Sequence, residues 1–258
     1  MKLGNSNAPI IDFDPFNVST IQTMELGARV DVNDGRAFRF SKNGTTGALG
    51  AGLVAQAPFE KANHQGLAVG ATAPVGANTV TLTLGATASV LEEYAEGFVS
   101  VTGAPGAGQT LKISDQQVAA SGANQLVTLF DVIQTALTTS STASLVHSPY
   151  NGTQNVINQT LRLVGVPLVN VPASLSLVNQ GFVSGQSFYW SQCYGTASVL
   201  ADGAIPVGSW LTTSAATAGA VTATSGTLAT AELTVPLGCA SMQAGVAGKY
   251  NPVFLTIL

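Results

Sequence analysis

Thr79-Val80-Thr81-Leu82-Thr83-Leu84 alternates hydroxyl and hydrocarbon at every step. A period of two puts all the hydrocarbon on one face of an extended chain, the mark of a half-buried β-strand. The same chemistry spreads outward. Leu26 to Val32 alternates, Asn33-Asp34-Gly35 supplies a turn, and Arg36 to Ser41 alternates again, which predicts a hairpin. Phe98 to Val101 and Gln109 to Ile113 read as strands around the loop Gly103-Ala104-Pro105-Gly106-Ala107-Gly108. Further strands are expected at Phe182 to Cys193, Ala197 to Leu200, Ile205 to Thr213, Ala220 to Thr224, Leu228 to Val235 and Val253 to Leu258. Many short strands with Gly, Pro and Asn turns indicate sandwiches or barrels.

Helical signals are few. Ser89 to Glu96 predicts a short helix, with Ser89 as cap, Glu92 at the capping-box position and Gly97 as terminator. Gln125 to Leu137 fits two patterns. Leu126, Leu129, Phe130, Ile133 and Leu137 form a helical stripe, while Leu126 to Phe130 also fits a strand. The β-like neighbours favour a strand followed by a turn near Asp131. The expected fold is therefore all-β: short-stranded β-barrel or β-sandwich modules with at most one or two short helices.

Residues 1–20 read as an extended arm, because Pro9 and Pro15 disfavour helix in the residues before them. Its apolar groups Ile10, Ile11, Phe13 and Phe16 need a docking surface. Their own domain and a neighbouring subunit both remain open; these four residues are the candidate subunit-interface set. A first β module is expected over 21–150 and a second over 151–258, or one continuous domain over both. Phe38-Arg39-Phe40 followed by Gly44, Leu49 and Gly52-Leu53-Val54 is echoed by Phe188-Tyr189-Trp190 followed by Gly195, Leu200 and Gly208-Ser209-Trp210-Leu211. Related modules and convergent hairpin chemistry both account for that echo.

Charged residues make up only 9% of the 258 residues, against about 25% in ordinary soluble domains. The poverty is uneven: residues 97–258 hold seven charged side chains, namely Lys112, Asp115, Asp131, Arg162, Asp202, Glu232 and Lys249. Charge keeps proteins apart, so so bare a surface is expected to be covered by neighbours. The net charge of −4 and the lack of a basic run predict no nucleic-acid partner. No membrane partner is expected, since the most apolar stretch, Leu161 to Val178, is broken by Pro167 and Pro172. Met1 to Asn7 has no apolar core of a signal peptide, so assembly in a cytoplasm is expected. Cys193 and Cys239 are then expected as free thiols.

Chemistry needs titratable groups gathered in a cleft. His64 and His147 stand 83 positions apart, and neither has metal-ligand spacing to Cys, His or a carboxylate. His147 reads as a turn residue and Glu92, Glu93 and Glu96 as a solvated helix face. Gly47-x-x-Gly50-x-Gly52 and Gly103-x-x-Gly106-x-Gly108 lack the order of a dinucleotide loop and the Gly-Lys-Ser/Thr of a phosphate loop. No catalytic residue, metal or cofactor is predicted, and the chain is expected not to be an enzyme.

Asp34-Gly35-Arg36-Ala37-Phe38-Arg39-Phe40-Ser41-Lys42-Asn43-Gly44 resembles a segment shared by a family of tailed-phage virion proteins, Gly-Arg-x-Phe-Arg-aromatic-x-Lys-x-Gly. Thr79 to Gly85, Pro105 to Ile113, Val166 to Ala173 and Gly195 to Gly203 with Val207-Gly208 continue the resemblance in order. The late module is also similar to the barrel of phage head decoration, or cement, proteins. Asp131-Val132 departs from the family's Asp-Pro. The resemblance implies a capsid decoration protein on the virion surface, with the major capsid protein and further copies of itself, as a homotrimer, for partners. Other virion roles (tail, fibre or spike) and a host-surface or glycan-binding module are the alternatives. For the last, Tyr189, Trp190, Tyr194 and Trp210 are the candidate platform, with core packing as the competing reading.

Overall fold

The structure is a computed structural model that describes residues 13–156, 162–175, 185–224, 237–240 and 243–257, the last two of the 237–240 segment as backbone only. It is all-β, as expected. The strands in chain order are β1 Arg29–Asp31, β2 Ala37–Asn43, β3 Ala55–Gln56, β4 Leu67–Val69, β5 Thr79–Thr83, β6 Phe98–Val101, β7 Thr110–Gln116 and β8 Asn124–Leu129. They continue as β9 Thr142–Val146, β10 Asn151–Asn155, β11 Leu163–Pro167, β12 Phe188–Leu200, β13 Trp210–Thr213, β14 Val221–Ala223, β15 Gly238–Ala240 and β16 Tyr250–Thr256. A single 3₁₀ turn, Ala62–His64, is the only helical element among the described residues.

The chain forms two compact units. Pro58–Asn151 builds one of them, a closed barrel of order β4-β5-β8-β7-β6-β9. Its seed is the alternating strand: Val80 and Leu82 point inward and the threonines lie on the outer wall. In-register pairing with β8 (Thr79↔Thr128 to Thr83↔Asn124) carries the pattern to Val127 and Leu129. Val99, Val101, Leu111, Ile113, Ala143 and Leu145 complete a filled interior, as a small barrel requires. Pairing of Leu67 with Ala143 closes it. The Gln125 to Leu137 ambiguity resolves as a strand that ends at Leu129. Leu126 and Phe130, both members of the helical stripe, lie on the exposed side.

The second unit takes the described residues through Ala57, Gly152–Ser174 and the described residues beyond 184. Its ten strands run β1-β2-β10-β3-β11-β12-β16-β15-β13-β14, and an added β2–β12 pairing closes a ring of β2, β10, β3, β11 and β12. Beyond Gln192 the long strand β12 turns to pair β16, from Tyr194↔Thr256 to Leu200↔Tyr250. A parallel bridge, Ala201↔Val221, ties the end of β12 back to β14. The expected division at residue 150 is thereby corrected: β1 to β3 belong with the C-terminal strands. The aromatic echo explains why. Its two strands are direct partners, with Trp190 opposite Phe40 and Phe188 opposite Lys42. Phe40 stacks on Phe188 at 5.8 Å and tilts against Trp190 at 5.2 Å, so the aromatic faces fuse into one core.

The predicted hairpin is present. Gly35 takes φ 84°, Val32 N–H donates to Arg36 O across the turn, and Gly35 N–H donates to Val32 O. The predicted helix at Ser89 to Glu96 is absent, and the segment is a series of turns. The Ser89 hydroxyl accepts from Ala119 N–H (3.1 Å) and Gln125 Nε2 (2.9 Å) rather than capping a helix. Glu92 N–H and Glu96 N–H donate to the β7 carbonyls of Gln116 and Ile113. Both glutamates sit in the left-handed region, at φ 56° and 60°. Barrel hydrogen bonds thus outcompete a short helix whose nucleation is itself unfavourable. Leu228 to Val235 lies outside the described residues.

Candidate functional site

The turns from 90 to 96 carry the densest group of titratable side chains in the barrel unit. A register shift in β7 between Ile113 and Asp115 aims Gln116 inward, where its Oε1 accepts from Tyr94 N–H at 3.1 Å. Gln116 Nε2 donates to Val90 O at 3.0 Å. Asn151 Nδ2 lies within 3.0–3.3 Å of the Glu92, Glu93 and Ala95 carbonyls. Two amide side chains therefore hold the turn from opposite ends, and the turn presents Glu93 and Tyr94 to the interior.

Glu93 is nearly buried and forms an ion pair with Lys61 Nζ at 2.6 Å. Its second oxygen accepts from Val90 N–H at 3.0 Å. His147, just past β9, stands 3.5 Å from Glu93 through Nε2 and 2.8 Å from Glu60 through Nδ1. Glu60 also accepts the His147 backbone N–H at 3.0 Å. The His147 ring lies 4.3 Å from the Tyr94 ring at 30°. On the far side Tyr94 Oη meets His64 Nδ1 at 2.6 Å, and His64 Nε2 meets the Thr87 carbonyl at 2.9 Å. That carbonyl can only accept. In a neutral His64 ring, Nε2 therefore carries the proton and Nδ1 accepts from Tyr94.

Burial alone would raise the Glu93 carboxyl, but hydrogen bonds from His147, Lys61 and Val90 overcome it and hold it at about 2. Burial works to lower His147, and its hydrogen bonds to Glu60 and Glu93 overcome that and keep it above the ordinary value. Burial first, then the Glu93 and Glu60 charges, push the Tyr94 phenol up, so it stays neutral. The arrangement favours the protonated form of His147, set between a pair of carboxylates. Both nitrogens of each imidazole are engaged, so the cluster offers no free base at its centre.

Sequence spacing hides this cluster. The His147 turn and the Glu93 helix face are both corrected: the two side chains meet across 54 positions, brought together by barrel closure. Among the described residues, no group of three or more His, Cys, Asp or Glu side chains is arranged to hold a metal ion. Nor is any helix there long and apolar enough to cross a membrane. Tyr94→Phe should destabilise the barrel by about 1–3 kcal/mol, since the buried His64 Nδ1 loses its partner while the ring volume stays. Urea unfolding followed by the amides of β5 and β6 measures it.

The other candidates divide. Phe13 packs on its own unit, 5.2 Å from Phe38 and 5.0 Å from Trp190. Phe16 is exposed, and Ile10 and Ile11 lie outside the described residues. Of the aromatic set, Tyr189 and Trp190 are core residues, whereas Tyr194 and Trp210 are exposed. Phe254 shares their sheet face through the register Trp210↔Cys239↔Phe254, and its ring meets Tyr194 edge-on at 5.2 Å. Cys193 is a free, buried thiol whose pKa burial pushes up, with Sγ donating to Ala37 O. No family model, curated protein or solved structure matches this chain.

Proposed function

We propose that the protein is a phage capsid decoration, or cement, protein that binds the outer surface of the assembled head and joins major capsid subunits. The observation that carries this reading is a charge-poor chain with large apolar side chains left exposed. Residues 97–258 hold seven charged side chains, while Phe130, Trp210, Tyr250, Val207 and Val246 are each more than half exposed. Apolar surface with little charge beside it is the composition of the centre of an interface. The ordered resemblance from Asp34 to Gly208 supports the same reading. Binding only the expanded lattice would stabilise that state by mass action, and a trimer would add avidity.

The arm is the proposed clasp to neighbouring subunits, through Ile10, Ile11 and Phe16, with Phe13 anchoring it at home. The full chain should co-sediment with expanded heads and not with unexpanded ones, and should sediment alone as a trimer. Removing residues 1–16 should weaken head binding about a hundredfold, the lower side of what linked contacts contribute. Unchanged occupancy together with an unchanged trimer overturns the clasp, and failure of the full chain to bind heads overturns the decoration role. The exposed Tyr194 and Trp210, with the half-buried Phe254 on the same sheet face, favour a glycan-binding module as second reading. A positive glycan array with no head binding would put that reading in its place.

A further inference from the structure

We propose that Glu60, His147 and Glu93 form a protonation-dependent latch that ties the chain's way into the barrel to its way out. Glu60 lies before the 3₁₀ turn that leads into β4, and His147 follows β9, the last barrel strand. Glu60 grips His147 twice, through the backbone N–H at 3.0 Å and the ring Nδ1 at 2.8 Å. Glu93, on the turns between β5 and β6, faces the other ring nitrogen at 3.5 Å. One imidazole therefore joins three segments far apart in sequence.

The geometry demands a charged ring. A carboxylate only accepts, and a neutral imidazole has one donor and one lone pair. With carboxylates at both nitrogens, a neutral His147 would aim a lone pair at an anion. Only the doubly protonated ring satisfies both. The charge sum agrees. Around the buried His147 side chain stand Glu60 and Lys61 from the incoming segment and Glu93 from the turn. Glu92 and Glu96 flank that turn, with Glu92 exposed and Glu96 half-buried. Tyr94 covers the ring's face, with His64 behind it. The four linked charges, Glu60, His147, Glu93 and Lys61, cancel when the ring is protonated and leave a net negative charge when it is not. The Tyr94 ring face at 4.3 Å also favours the cation.

The direction of the effect follows from linkage. A histidine held above its ordinary value contributes stability that is full below 6.5 and is lost as pH rises through the folded value. Glu93, held at about 2, contributes above the ordinary carboxylate value of 4.5 and weakens only as pH falls toward 2. The latch is therefore tightest between those ordinary values, 4.5 and 6.5. It opens on the alkaline side and frees the 58–61 strap that carries the half-exposed Phe59. This inference is independent of the partner proposed above.

The test is imidazole NMR titration of the full chain, with the protection factor of the His147 amide followed from pH 5 to 9. His147 should titrate above 6.5, and amide protection should fall through that same value. Each unit of elevation corresponds to about a tenfold shift in the opening equilibrium. His147→Gln should remove the pH dependence of protection. Glu60→Gln keeps the strap's volume and an oxygen for the backbone N–H, so it should fold and bring the His147 titration down. Titration of wild-type His147 at or below 6.5 overturns the latch. So does a Glu60→Gln variant that titrates as wild type, or protection whose pH profile is the same with and without the imidazole.

Discussion

Gly97→Ala is expected to destabilise the barrel by about 3 kcal/mol or more, at the upper end of overpacking effects. A Cβ at Gly97 would run into the Val146 carbonyl oxygen, with Ser148 N at 2.9 Å and Tyr94 O at 3.0 Å. All three are backbone atoms, so no rotamer change relieves the contact. They belong to the two segments that Gly97 separates: the outgoing chain after β9 and the turn that carries Glu93 and Tyr94. Gly97 also accepts the Ile113 N–H at 2.8 Å and donates to Tyr94 O at 2.9 Å, which pins it from both sides. Moving away to admit a methyl group would break the β6–β9 pairing at Phe98↔Val146. Hydrogen exchange reads the result directly. Amides of β6 and β9 should lose protection in the variant, while β12 and β16 report on the other unit. Wild-type protection in β6 and β9 would show that the barrel yields there at little cost.

The same residue marks the limit of the sequence. Gly97 reads equally well as the terminator of a short helix, and that reading fails because of partners that local pattern does not contain. Ser89 has the right residue three places on for a capping box, yet its hydroxyl is buried and bonded to Ala119 and Gln125, 30 and 36 positions away. Strands are different. Thr79 to Leu84 and the Asn33-Asp34-Gly35 hairpin carry their own instructions, since alternation and turn chemistry act over a few residues. Closure is a long-range property. Leu67 pairs Ala143 and Phe40 pairs Trp190, and neither partnership has a local signal. The His147 cluster inherits that limitation, because its ion pairs and its Tyr94–His64 bond join residues 30 or more positions apart. Glu60, in an irregular stretch before β4, gives no hint that it grips a histidine 87 positions later. Charge poverty was legible at once, and the structure adds where large apolar groups stay exposed.

Phe38→Ala is expected to cost about 3–5 kcal/mol, as for other buried aromatics truncated to alanine. Phe38 is fully buried on β2, opposite Val30 of β1 and Gln192 of β12. Arg36 lies over its ring at 5.5 Å, and Phe13 tilts against it at 5.2 Å. The phenyl group therefore supports two things at once: the aromatic core that fuses the two echoed strands, and the anchor of the arm. Truncation leaves a cavity beneath Phe13, so the arm loses one of its two aromatic partners and keeps only Trp190. Two observations separate the effects. Chemical unfolding should show the loss of stability, and limited proteolysis under native conditions should cut before residue 19 sooner than in the wild type. Phe13→Ala, which empties the same contact from the side of the arm, should speed that cleavage with a smaller loss of stability, because Phe13 is only half-buried. If Phe38→Ala lowers stability and leaves arm cleavage unchanged, the arm is held by its bridge at Ser19↔Phe188 instead. The aromatic contacts would then be packing alone. If cleavage quickens in both variants, the segment Asp34 to Gly44 is the seat of the arm. Its aromatic pattern then sets how firmly the proposed clasp is held before it meets a neighbour.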